Sequence, residues 1–343
     1  MSARASLAAP RREFLGQLAA LGASAMLPGE LIAQSKAYRI DVHHHLMYPG
    51  YLDEAGGRRA GSDFKWSPEM SLDDMDRSGI ALSVLSLIQP SAVTSDIEKG
   101  RRIARASNEY CAQLVRDHKG RFASFATLPL LDTDGALKEI AYALDTLKAD
   151  GIGLMTSYQD KYLGDASFAP IWHELNRRKA VIYTHPLSPE CCKNIKSDVP
   201  PAVIEYATDT TRTIASLVFS GTAARYPDIR WIFSHSGGTM PFLLSRFKRH
   251  EIDIKDRAKE RMPNGLMHEL KKFNYDTAQG NHSGALAALM KIVTPSQVLF
   301  GTDFPFRDGA EEIAGLVAFR FQPAELRAIE RDNALRLLPT LKA

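Results

Sequence analysis

Cysteine is scarce: three residues in 343, Cys111, Cys191 and Cys192. Three thiols make no disulfide framework, which excludes the small, stapled folds. The adjacent pair Cys191 and Cys192 reads as two free thiols in a loop, with a strained vicinal disulfide or a soft-metal pair as the alternatives. An imbalance of charge is lacking too. The 43 basic and 40 acidic residues leave a formal charge of +3. The chain therefore lacks the concentrated basic charge of a nucleic-acid binder, although basic side chains can still gather around an anionic substrate. No internal repeat, low-complexity tract or linker interrupts the sequence. Long apolar runs are missing as well. The stretch from Leu15 to Leu27 is shorter than the ~20 residues that a membrane span needs, and no other segment offers a stable span.

What is present begins with an address. Pro10-Arg11-Arg12-Glu13-Phe14-Leu15 resembles a twin-arginine export signal, and Ala23-Ser24-Ala25 offers a small-residue cleavage site. Residues 1–34 are expected to be a signal segment that sends the protein to the periplasm. Without it, the expected place is the cytoplasm. Residues 35–343 are expected to form one catalytic-size domain.

From residue 38 onward, short apolar runs alternate with amphipathic stretches. The runs are Arg39–His43, Ala81–Ile88, Arg121–Leu128, Gly151–Thr156, Ala180–His185, Arg230–His235, Phe273–Thr277 and Val298–Asp303. Each has strand length and is rich in Val, Ile, Phe or Leu. Between the first two, Ser67 and Pro68 mark a helix start and Gly79 its end. Leu137, Ile140, Ala141 and Leu144 predict one apolar helix face, and Pro323 to Leu338 predicts a last amphipathic helix. Eight strands alternating with helices predict an α/β fold, a (β/α)8 barrel. The competitor is a doubly wound open sheet, but its nucleotide-binding form needs a Gly-rich loop after the first strand, and none is there. The insertion from Tyr48 to Lys65 is expected to fold over the barrel mouth.

The chemistry concentrates at the ends of the runs. In Asp41-Val42-His43-His44-His45, strand alternation puts Asp41, His43 and His45 on one face and turns His44 away. Two imidazoles so spaced can chelate a divalent metal. His185 ends the fifth run, His235 the sixth and Asp303 the eighth. In a barrel, all strand C-termini open on one face, so side chains spread over the whole chain would converge.

These motifs resemble the amidohydrolase superfamily, in the branch around aminocarboxymuconate-semialdehyde decarboxylase. The markers are the first-strand His-x-His, Thr184-His185-Pro186, His235-Ser236-Gly237-Gly238 with Pro241-Phe242, and Gly301-Thr302-Asp303-Phe304-Pro305-Phe306. The likeness covers residues 38 to 340. It implies an amidohydrolase-type TIM barrel with His43, His45, His185 and Asp303 as metal ligands. His235 is implied as a proton shuttle outside the ligand set, with Asp303 sharing the catalytic work. Arg246 stands where the family has a substrate-binding arginine that reaches across a homodimer interface; a solvated helix residue is its plain alternative.

Metal-bridging lysines of two-metal relatives follow the fourth strand, yet Gly151-Ile152-Gly153-Leu154-Met155-Thr156-Ser157 has none, and Lys161 falls in the loop beyond. One divalent metal is expected, zinc by its three-nitrogen, one-carboxylate ligand set, with manganese as the alternative. The expected activity is decarboxylation of an aromatic or unsaturated small-molecule carboxylate. Hydrolysis of a lactone, ester or amide by a metal-bound hydroxide is the alternative that the same residues leave open. His282, after the seventh strand, and Asp276, within it, are further candidates for the pocket. His118, His173, His250 and His268 are expected on the surface.

Overall fold

The computed structural model describes residues 38–55, 65–192, 194 and 198–341. The export-signal reading of residues 1–34 lies outside them, as does half of the insertion expected over the mouth, residues 56–64.

Each of the eight apolar runs coincides with or overlaps a strand. They are β1 (Arg39–Leu46), β2 (Ile80–Leu87), β3 (Phe122–Thr127), β4 (Gly151–Met155), β5 (Val181–His185), β6 (Arg230–Phe233), β7 (Asn274–Asp276) and β8 (Val298–Leu299). They pair in chain order, all parallel. The ring closes where the segment after β8 meets β1. Val42 N–H donates to Phe300 O (3.0 Å), His45 N–H to Phe304 O (2.9 Å) and Asp303 N–H to His43 O (2.8 Å). Gly301 allows this approach, since a Cβ there would sit 2.8 Å from His43 Cβ. The result is the (β/α)8 barrel that the alternation predicted.

Helices α1 (Pro68–Ser78), α2 (Ile97–Asp117), α3 (Thr133–Ala141), α4 (Ala169–Arg177), α5 (Pro201–Phe219), α6 (Met240–Asp253), α7 (Ser283–Met290) and α8 (Gly309–Phe319) surround the sheet. In α1, the Ser67 hydroxyl accepts the Met70 N–H and Gly79 ends the helix at φ 63°, as its sequence signals required. Aromatic side chains fill the layer between sheet and helices: Trp172, Trp231, Phe233 and Phe273 are buried and meet edge to face or stacked. Inside the barrel, Ile40, Val84, Phe125, Tyr183 and Ile232 pack together, and Leu337, Leu338 and Leu341 join them.

Two helical expectations change. After α3 the chain widens into a π turn, Tyr142–Thr146, with Leu147 N–H bonded to Tyr142 O at 3.0 Å. The buried face is also displaced from the expected one, and already so before the π turn begins. Ala136, Ile140 and Ala143 are buried, while Leu137, Ala141 and Leu144 are half-buried. The final helix is likewise broken by a π turn, Ala328–Asp332, between Pro323–Arg327 and Asn333–Leu337.

Candidate active site and metal centre

β1 carries the first surprise. Its register against β2 shifts between Asp41 and His44. Such an irregularity reverses the in–out alternation of a strand. Asp41 therefore does not share a face with His43 and His45, as plain alternation predicted. Its Oδ2 instead accepts from His44 Nδ1 (2.9 Å) and the Thr302 hydroxyl (2.6 Å). His44 is turned away from the site as expected. Its Nε2 meets Ser71 Oγ of α1 at 2.9 Å, and its ring stacks on Phe304. This buried network ties β1 to α1 and to the segment after β8.

His43 and His45 face the barrel mouth together. Their Nε2 atoms lie 3.3 Å apart, and Asp303 Oδ1 is 3.1 Å from the first and 2.9 Å from the second. His185 Nε2 lies 3.9 Å from the same oxygen. His235 Nε2 approaches the other oxygen, Asp303 Oδ2, at 3.4 Å. Donor atoms of His43, His185, His235 and Asp303 all fall within 4.8 Å of one another. Ligands about 2.1 Å from a tetrahedral zinc would be separated by about 3.4 Å, which falls inside the 2.9 to 3.9 Å range of the contacts to Asp303 Oδ1 and between His43 and His45.

The tautomers agree with a bound cation. His43 Nδ1 is held by Asp276 Oδ2 at 2.9 Å, and His185 Nδ1 by Pro186 O at 2.8 Å. With those nitrogens donating, each ring in its neutral form turns an Nε2 lone pair toward Asp303. Lone pairs and a carboxylate crowded together, all nearly sealed from solvent, call for positive charge between them. The donor set therefore fits a divalent metal.

Burial alone would pull the His43 pKa down, but the carboxylates of Asp276 and Asp303 outweigh it and lift the value to about 10. His45 and His185 are pushed down by burial. Burial would raise Asp303, yet the surrounding imidazoles, His43 foremost, hold it well below the usual carboxylate range. The site is a carboxylate-rich pit that prefers a cation, with two neutral imidazoles ready to ligate.

Left-handed backbone aims the last side chains. His235 (φ 54°), Ser236 (φ 55°) and Asp303 (φ 65°) all have positive φ, which costs a non-glycine residue about 1 kcal/mol or more. Asp276 Oδ1 secures the His235 turn by accepting its N–H at 2.9 Å. One buried carboxylate thus orients two of the site's imidazoles.

A cavity of about 440 Å³ opens over these groups, a size that suits a small ligand. Val203 and Ala207 of α5 and Phe306 give it apolar wall, and Gln89, Tyr206, Gln279 and Arg307 give it polar wall. Sequence reasoning missed those four polar residues. For Arg307 a signal existed, since it lies in the same strand-end loop as Asp303. Gln89, directly after the second run, had the same mark, whereas Tyr206, its partner in a 3.0 Å hydrogen bond, lies within α5 and had none.

Other expectations fall out plainly. Arg246 is exposed on α6 and does not line the cavity of its own chain. His282 caps α7, accepting the N–H groups of Gly284 and Ala285. His173, His250 and His268 are exposed and His118 half-buried. Lys161 is far from a bridging role; its ammonium meets Ser167 Oγ, and Thr156, at the end of the fourth strand, bonds Asp209. Cys191 and Cys192 are free thiols, with sulfurs 3.4 Å apart. Among the described residues, no helix is long and apolar enough to cross a membrane.

Comparison with known proteins places this geometry. The sequence model of the amidohydrolase family matches residues 40–340. Decarboxylase macB of Penicillium terrestre is 35% identical over 325 residues, covering 89% of this chain and 96% of the relative. The 6-methylsalicylic acid decarboxylase of Penicillium expansum is also 35% identical, over 316 residues, covering 89% of this chain and 97% of the relative. Among solved structures, a dihydroxybenzoic acid decarboxylase from Polaromonas with bound manganese and 2-nitroresorcinol superposes with a TM-score of 0.78 at 21% identity, over 89% of this chain and 98% of that one. That last likeness is one of fold. With the full-length match and the convergent histidines and aspartate, the chain belongs to the amidohydrolase family, in its branch of metal-dependent decarboxylases.

Proposed function

We propose that this enzyme removes the carboxyl group of a 2-hydroxybenzoic acid of the 6-methylsalicylate type as carbon dioxide. The observation that carries the substrate class is the full-length likeness, at 35% identity, to a 6-methylsalicylic acid decarboxylase. A cavity of about 440 Å³ with one apolar and one polar wall suits a single substituted ring.

In this reading His43, His45, His185 and Asp303 hold one divalent metal, zinc by the donor set and manganese as the alternative. The bound cation supplies a fixed positive charge for the substrate's oxygens. Arg307, on the cavity wall, draws the anionic acid in. The apolar wall packs the ring face and excludes water. The bond between ring and carboxyl carbon breaks, its electron pair stays with the ring, and the ring carbon takes a proton. His235 and Asp303, 3.4 Å apart across the mouth, are the pair that relays that proton. Atoms balance as acid anion plus proton giving arene plus carbon dioxide.

Arg246 is outward-facing, so in this proposal it reaches substrate only from a second copy in a homodimer. The twin-arginine segment would deliver the enzyme to the periplasm. A fusion of residues 1–34 to a reporter that works only after export tests that address.

The central test is carbon dioxide release by the zinc- and manganese-loaded enzyme from 6-methylsalicylate, salicylate and 2,6-dihydroxybenzoate. Release from 6-methylsalicylate is expected. No release from any of the three, with either metal, would sink the substrate class, and turnover of a lactone or ester panel instead would point to hydrolysis.

A further inference from the structure

Beside the ligand set, a glutamine sits in a backbone conformation that glutamine seldom adopts. Gln279 follows β7 with φ 49°, in the left-handed region that disfavours a side chain. Gly280 completes its turn, N–H to Thr277 O at 2.9 Å, and a Cβ on that glycine would collide with Ser236. The loop is thus pressed against the turn that follows β6.

Strain of this kind persists only where something holds it. What holds Gln279 is Glu312 of α8. Its carboxyl group straddles the Gln279 N–H, at 3.3 and 3.2 Å, and the residue is 1% exposed. Burying a carboxyl group to bind one backbone N–H is costly. No step of the reaction uses Glu312.

The beneficiary is Asp303. The Gln279 side-chain amide donates to its Oδ2, the oxygen that faces His235, while Oδ1 faces His43 and His45. A carboxylate can swivel about its Cβ–Cγ bond and exchange its oxygens. A donor fixed on Oδ2 stops that, keeping one oxygen for the metal and the other for the proton.

We propose that Gln279 is a positioning residue of this enzyme, holding the outer oxygen of Asp303, and that Glu312 serves to lock Gln279 in the conformation that does so. The assignment rests on the role given above to Asp303.

The test compares Gln279→Met, Glu312→Leu, their double variant and Glu312→Gln as purified, metal-loaded enzymes. Gln279→Met keeps the shape and removes the donor. Its kcat is expected to fall about 10- to 100-fold, with KM within about twofold and metal content at the wild-type level. Glu312→Leu should act in the same direction, and the double variant should be no worse than the worse single one, because both act through one contact. Glu312→Gln retains an acceptor for the Gln279 N–H and should keep most of the activity.

A second readout needs no turnover: the visible absorption of the cobalt(II)-loaded protein should shift in Gln279→Met, because the carboxylate is free to reorient. An unchanged kcat with an unchanged cobalt spectrum would overturn the proposal. So would loss of the metal from Gln279→Met, which would make the residue a structural support, or losses that multiply in the double variant. Should wild type release no carbon dioxide, the decarboxylase reading fails by itself, and the cobalt spectra still decide the role of Gln279.

Discussion

Asp276 and His43 are bound side chain to side chain, Oδ2 to Nδ1 at 2.9 Å, with neither exposed to solvent. The pair fixes which nitrogen of His43 faces the site, and the other oxygen of Asp276 fixes the turn that presents His235. Carboxylates behind metal-bound imidazoles typically change metal affinity by 10- to 100-fold. Asp276→Asn should therefore weaken metal binding by about that factor, measured by competition against a chelator of known strength. Wild-type affinity in the variant would contradict the arrangement.

Removal of a proposed ligand should be harsher. His185→Ala is expected to purify with little or no metal, where wild type carries about one ion per chain by elemental analysis. Stripping wild type with a chelator should abolish carbon dioxide release, and adding back zinc or manganese should restore it. A His185→Ala protein that keeps a full complement would remove that residue from the ligand set.

Glu312 predicts a pH dependence of stability. Burial, the largest influence, pushes its pKa from the usual 4.5 up to about 8 against the Gln279 N–H, with the charge of Asp303 adding to the rise. Between those two values the folded chain holds a proton that the unfolded chain has released. The stability this group contributes is present in full below 4.5 and is lost as pH rises through 8. Glu312→Gln cannot lose that proton. Its melting temperature relative to wild type should rise by a few degrees between pH 5 and pH 9. A difference that stays flat across that range would mean Glu312 ionises normally.

At the strand starts, Arg39 and Glu330 form a buried ion pair at 2.7 Å, and Tyr38 donates its hydroxyl to the same carboxylate. Arg39→Met would leave Glu330 enclosed with a lost partner, at a cost of about 3 kcal/mol. The pair lies at β1's first residue, away from the mouth, so kcat should not change. Urea unfolding and steady-state kinetics on the same preparation separate the two effects.

Much of this architecture is legible in the chain. Eight apolar runs gave eight strands because each is bounded by turn or helix signals, and parallel order then gathers their C-terminal ends. That is why His43, His45, His185, His235 and Asp303 could be named together. The parts that escaped share a cause. The register shift in β1 that moves Asp41 off the histidine face, the left-handed backbone at His235 and Asp303, and the π turn after α3 are all imposed by tertiary contacts. No local pattern announces them. Asp276 had a weak mark, an acid at a strand end, and Gln279 only its place in the loop that follows: the contact that holds it comes from Glu312, 33 residues later.

The seam that closes the ring has a temporal meaning as well. Asp303 and His45, 258 positions apart, meet where β1 and the segment after β8 zip together. A polypeptide still being synthesised owns its imidazoles early, but gains the aspartate and the final strand only near completion. A fragment ending before residue 298 lacks both that aspartate and the closing strand, so it should bind no metal tightly however well its helices form.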